Sequence, residues 1–145
     1  IDHDEVAAEN SRGGSPAIWS NTFSKPSDWV IDHDATACNL DWQIGTGLSC
    51  QGFYPIANIE STTASDGFAM VDSDFYGGET GGNEIEDSWI ETANAIDLSS
   101  YSNVVLEFET YYRRYNYERW YVVVSADGTW PDLSSDTAIT CMKQV

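Results

Sequence analysis

Residues 103–114, NVVLEFETYYRR, alternate from one side of an extended chain to the other for the length of a long strand. Val104, Leu106, Phe108, Thr110 and Tyr112 share one face, and Val105, Glu107, Glu109, Tyr111 and Arg113 the other. A helix would scatter these apolar positions around its whole circumference, so the run is expected to be a strand with its first face toward a core. A second run at 119–128, RWYVVVSADG, sets Trp120, Val122 and Val124 on one face and closes on an Asp127-Gly128 turn signal. The two runs are expected to pair as a long antiparallel hairpin with a polar tip around Asn116. Shorter strand candidates lie at 17–23, 29–33, 41–45, 67–72 and 88–92, and no long stretch carries a helical period. The fold class expected is all-β, an antiparallel two-sheet sandwich. The intervening DFYGGETGGNEIED segment at 74–87 is too rich in Gly and acid for regular structure and reads as a loop.

The 145 residues suit one domain. Residues 1–16 end in the linker signal Gly13-Gly14-Ser15-Pro16 and read as a flexible lead-in, leaving 17–145 as the β-sandwich domain. Six Trp and eight Tyr set the composition apart from that of disordered chains. The 24 Asp plus Glu against six Lys plus Arg give a net charge of -18, which repels nucleic-acid phosphates and anionic lipid headgroups. No nucleic-acid partner is therefore expected. No apolar run reaches the roughly 18 residues of a spanning helix, so no membrane insertion is expected either. The first residue is Ile, which reads as a mature or excised segment. Cys38 and Cys50 flank a Gly-bearing stretch that suits a short disulfide loop in an extracellular compartment, with Cys141 left odd; three reduced thiols are the alternative.

Three groups of residues carry candidate chemistry. Asp66, Asp72, Asp74, Glu79, Glu84, Glu86 and Asp87 gather around the acidic loop, and a calcium ion takes roughly six to eight oxygen ligands. Asp72 and Asp74 stand two apart, so on an extended backbone they point the same way. Calcium is the cofactor expected, with Asp66, Asp72, Asp74, Glu79 and Asp87 as its ligands; a merely solvated acidic loop is the alternative. In IDHD at 31–34, Asp32 and Asp34 fall on the face opposite His33, and with no second close imidazole a hydrogen-bonded His33 is expected rather than a zinc site. The hairpin tip concentrates aromatic rings with three of the six basic residues, giving Arg114, Tyr115, Tyr117, Arg119 and Trp120 as the candidate ligand-binding set. Alternate aromatics filling a core, with arginines neutralising acids across the sheet, would explain the same mixture. Acids are numerous, but no pair is singled out by an apolar setting and no nucleophile motif occurs, so catalysis is not expected.

The ordered pieces PSDWVIDHDATACNLDW, SDGFAMVDSD, DSWIETANAIDLSSYSNVVLEFETYY and RWYVVVSADG resemble the cleaved-adhesin and choice-of-anchor jelly-roll domains, relatives in shape of MAM domains, of secreted Bacteroidetes proteins. The resemblance spans roughly residues 19–128. It implies a jelly-roll sandwich, a place at the cell surface or outside the cell within a larger polypeptide, and adhesion or glycan contact or support of a neighbouring module. Two departures stand out: Phe23 is followed by Ser24 where such domains often carry an acid, and fewer strands follow the SADG turn than the family has. A binding module contacting a glycan or a cell-surface protein is the function expected. A spacer or assembly module is the alternative, with a glycoside hydrolase third.

Overall fold

A computed structural model of the chain describes residues 16–79, 86–114, 119–130 and 142–144. The chain divides into two compact units, Ile1–Tyr111 and Tyr112–Val145. The first unit holds a 3₁₀ turn at Pro26–Asp28 and strands β1 (Trp29–His33), β2 (Gln43–Gly45), β3 (Phe68–Met70) and β4 (Ser88–Thr92), with a short π-helix at Asp74–Glu79. The second holds β5 (Tyr121–Val123) and β6 (Met142–Gln144). Among the described residues the strands form three antiparallel pairs, β1 with β4, β2 with β3 and β5 with β6. The regular structure is thus of the β class.

The β1–β4 pair is the longest, and its sequence explains it. Lys25 is extended (φ −124°, ψ 99°), as a residue before proline must be, and Pro26 then opens the turn whose Asp28 N–H donates to the Lys25 carbonyl at 3.0 Å. From Trp29 the chain is extended, and β-branched and aromatic side chains keep it so. Trp29, Ile31 and His33 are half-buried while Val30 and Asp32 face solvent. Ile31 stands opposite Ile90 and Trp29 opposite Thr92. Beyond the strands, Ala93 N–H donates to Asp28 O and Asp34 N–H to Asp87 O, both at 2.8 Å.

The approach to β1 is fixed by Asn21. Its Oδ1 accepts from Phe23 N–H at 2.7 Å and from Trp29 Nε1–H at 3.2 Å, and its Nδ2 donates to Asp28 Oδ2 at 3.0 Å. Phe23 sits at φ 61°, unusual for a bulky residue, and its ring stacks on Trp29 at 4.7 Å with 14° between planes. Gly67, at φ 154° just before β3, passes so close that a Cβ there would lie 2.5 Å from the Phe23 carbonyl oxygen. Phe68, the next residue, and Cys38 are the two hydrophobic residues buried among those described.

Several expectations change. Residues 17–23 form no strand, because the Asn21 side chain takes the Phe23 amide that a ladder would use. Residues 103–114 form no strand either, and Tyr121–Val123 pairs with Met142–Gln144 instead of closing a hairpin with them. The segment expected to be loop is helical at Asp74–Glu79, where Asp72 caps it by accepting from Phe75 N–H at 3.1 Å.

Replacing Gly67 by Ala should cost stability both through φ and through the Phe23 carbonyl, whereas Gly128, at φ 77° with open space around it, is strained through φ alone. Urea unfolding should therefore place Gly67→Ala below Gly128→Ala by about 1–2 kcal/mol.

Candidate functional site

Among the described residues of the first unit, exposed apolar side chains concentrate after β4. Tyr101, Val104, Val105, Leu106, Phe108 and Tyr111 are all exposed, Val105 to 84%. Both sides of the alternating run face solvent, so the face expected in the core is not there. Residues 104–107 make no hydrogen bond to any described residue. The run is tied down at Glu109, whose Oε2 accepts from Thr62 N–H at 2.8 Å and Thr62 Oγ1–H at 2.6 Å. Those two donors hold the Glu109 carboxyl below its ordinary value of 4.5.

In the second unit Trp120 is half-buried, its ring against that of Tyr112 at 6.4 Å, and Arg119 donates to the Tyr121 hydroxyl at 3.4 Å. Arg114 is exposed. Tyr115 and Tyr117 lie outside the described residues, as do Glu84 and Cys141.

Asp72 and Asp74 act on one loop. Asp72 Oδ2 accepts from Gln51 N–H at 2.6 Å, and Asp74 Oδ2 accepts from Tyr54 N–H at 2.5 Å while touching the space a Gly52 side chain would need. With Phe75 N–H on its other oxygen, Asp72 is a bidentate acceptor that staples residues 51–54 to the start of the π-helix. Asp66 is exposed at the turn before β3. Asp87 is held through its backbone to Asp34 and Cys38, and Glu79 ends the π-helix. Among the described residues no three His, Cys, Asp or Glu side chains come together as a metal-holding group. The expected calcium ligands thus bring two carboxylates to one place rather than a full shell.

Cys38 and Cys50 are both free thiols, which corrects the expected disulfide. The reason is local: Cys38 Sγ donates to Asp87 O at 3.5 Å and accepts from Asp87 N–H at 3.3 Å, joining the turn after β1 to the residue before β4. The same turn is closed by Asp34, whose Oδ1 accepts from Thr36 N–H and its hydroxyl. His33 Nδ1 lies 2.7 Å from Asp41 Oδ1, a hydrogen-bonded histidine with one carboxylate beside it.

A cleft of about 240 Å³ beside the β1–β4 pair is lined by Trp19, Ser20, Asn21, Asp28, Thr92 and Asn94. Sequence reasoning missed it because residues 17–23 read as a strand. The available signal was the pairing of Trp19 with Asn21 and Asp28, two Asx side chains flanking a Pro turn. No family model, no curated protein and no solved structure matches the chain.

The side-chain hydroxyl of Thr36 holds the Asp34 carboxyl below its ordinary 3.8, Ser99 does the same for Asp97, and the Thr129 amide for Asp127. Values lowered in the folded state contribute stability above the ordinary carboxylate range, and that contribution is lost as pH falls through the lowered values. An NMR titration should place the Glu109 midpoint below 4.5 and return it toward that value in Thr62→Val. Separately, Asp72→Ala should speed amide exchange at Gln51 and Phe75, and Asp74→Ala at Tyr54.

Proposed function

We propose that the chain is an adhesin-like binding module of a larger secreted polypeptide, a jelly-roll domain that contacts a glycan or a cell-surface protein. The observation that carries this reading is the exposed run at 101–111, where aromatic and aliphatic side chains stand in solvent on both sides of the chain. Contiguous apolar surface of this kind marks interaction sites, and Tyr rings supply contact area at low conformational cost. Among the described residues no helix is long and apolar enough to cross a membrane, and the -18 charge opposes anionic surfaces, which leaves neutral or cationic partners. The carboxylates with lowered values accept from Ser or Thr donors, unlike an acid kept protonated by burial.

A second reading, a spacer or assembly module, is favoured by one observation. Residues 104–107 carry a strand-forming sequence whose amides and carbonyls have no partner among the described residues, so a strand from a neighbouring domain would find hydrogen bonds waiting. Calcium belongs to the proposal through Asp72 and Asp74. Loop carbonyls and water would have to complete the shell of roughly six to eight oxygens.

Two measurements test this. In a glycan and surface-protein screen, saturable binding that falls at least tenfold in Leu106→Ser with Tyr111→Ser supports the binding module. A silent screen, together with a chain that gains cooperative unfolding only when joined to its neighbours, supports the spacer. For the ion, chelator-treated protein titrated with calcium should gain about 2.7 kcal/mol at a hundredfold excess over Kd, and matched ionic strength should give no rise. A flat response removes calcium from the proposal.

A further inference from the structure

We propose that the cleft beside Trp19 is a subsite for one ring of a neutral saccharide. The inference rests on the binding-module reading and gives it a second, smaller site with residues of its own.

The walls of the cleft are already set. Asn21 cannot turn over, because its Oδ1 accepts two N–H donors while its Nδ2 donates to Asp28 Oδ2. That same bond, with Asp28 O accepting from Ala93 N–H at 2.8 Å, fixes Asp28 at the base of β1. Trp19 meets Trp29 edge to face, centroids 6.1 Å apart and planes at 75°, and Trp29 is itself backed by the Phe23 ring. Trp19 is nevertheless 39% exposed, so an indole surface held by its neighbour remains open to a ligand. Ser20, Thr92 and Asn94 contribute hydroxyl and carboxamide groups whose side chains make no hydrogen bond to any described residue. Preorganised donors and acceptors with unused capacity are what a polar ligand needs.

The lining selects the ligand class. Hydroxyl groups both donate and accept, which matches a wall of hydroxyls, carboxamides and one carboxylate, while the C–H face of a hexose lies against an aromatic ring. Asp28 and the -18 charge reject uronic acids, phosphates and sulfates. A quaternary ammonium ion is ordinarily enclosed by several aromatic faces, and here Trp19 is the one ring in the lining. A volume of about 240 Å³ admits one sugar ring rather than an extended chain.

The test is an NMR titration of the full chain with methyl glucoside, methyl mannoside, methyl galactoside and cellobiose, with glucuronic acid as the charged counterpart. Saturable shifts of the Trp19 indole and the Asn94 side-chain amide with at least one neutral probe, at least fivefold weaker with glucuronic acid, are expected. Asn94→Ala, which removes no internal hydrogen bond, should weaken that binding at least threefold, Trp19→Ala at least tenfold, and Phe53→Ala, an exposed ring elsewhere, not at all. Absence of shifts with every neutral probe, or binding unchanged in both Trp19→Ala and Asn94→Ala, overturns the inference. In that case glycan or protein binding that Leu106→Ser with Tyr111→Ser abolishes would still stand, so failure of the cleft and failure of the module are told apart.

Discussion

A single carboxamide organises the beginning of the first unit. Asn21 Oδ1 takes the Phe23 amide and the Trp29 indole together, so Phe23 is bent into φ 61° and its ring is laid onto Trp29. The conformation that results is costly for a phenylalanine, and it persists because three independent contacts determine it: the Asn21 bond, the stack, and the passage of Gly67 against the Phe23 carbonyl. That passage brings β3, with the buried Phe68, to the start of β1. The start of β1, the residue before β3 and the wall of the Trp19 cleft all meet at this one carboxamide and the phenylalanine it bends.

The carboxylates illustrate how a strongly acidic chain uses its charge. Asp34, Asp72, Asp74 and Glu109 each accept from backbone N–H groups of other segments or of their own turn. A carboxylate offers several lone pairs and is a stronger acceptor than a neutral oxygen, so short connections with few apolar side chains are pinned by ionised acceptors in place of a core. This accounts for a first unit that holds its loops although few of its described side chains are buried.

Strands 29–33 and 88–92 were legible in the sequence with their observed bounds, because alternation and β-branched residues act locally there. Strands β2 and β3 fell inside their expected windows and are shorter. At 17–23 alternation misled, since Asn21 satisfies a neighbouring amide with its side chain and a periodicity count cannot register that. At 103–114 the pattern described which residues share a face, whereas a ladder also requires a partner, and the partner of Tyr121–Val123 came from 142–144. Spacing suggested Cys38 with Cys50, yet Cys38 is engaged 49 residues away by the Asp87 backbone, a contact created by the β1–β4 register. Of the expected site residues, Asp72 and Asp74 each accept from an amide of the 51–54 loop, and Asp74 opens the π-helix rather than continuing the extended backbone on which their spacing would align them. The Trp19 cleft joins residues that precede β1 with residues at the end of β4, more than sixty positions apart in sequence, and no local pattern encodes that.

The open backbone at 104–107 makes solubility a matter of electrostatics. A hydrophobic stretch with vacant amides is a template for intermolecular pairing, and two copies of it would align most easily in register. Each approaching copy carries eighteen excess negative charges, with Glu107 inside the segment and Glu109 just beyond it, so stacking would bring like charges together in rows. The acid-rich composition therefore works as a gatekeeper whose range is the Debye length, about 8 Å at physiological ionic strength and shrinking as salt is added. The same strand-forming sequence is kept from its own kind by repulsion that concentrated electrolyte erases.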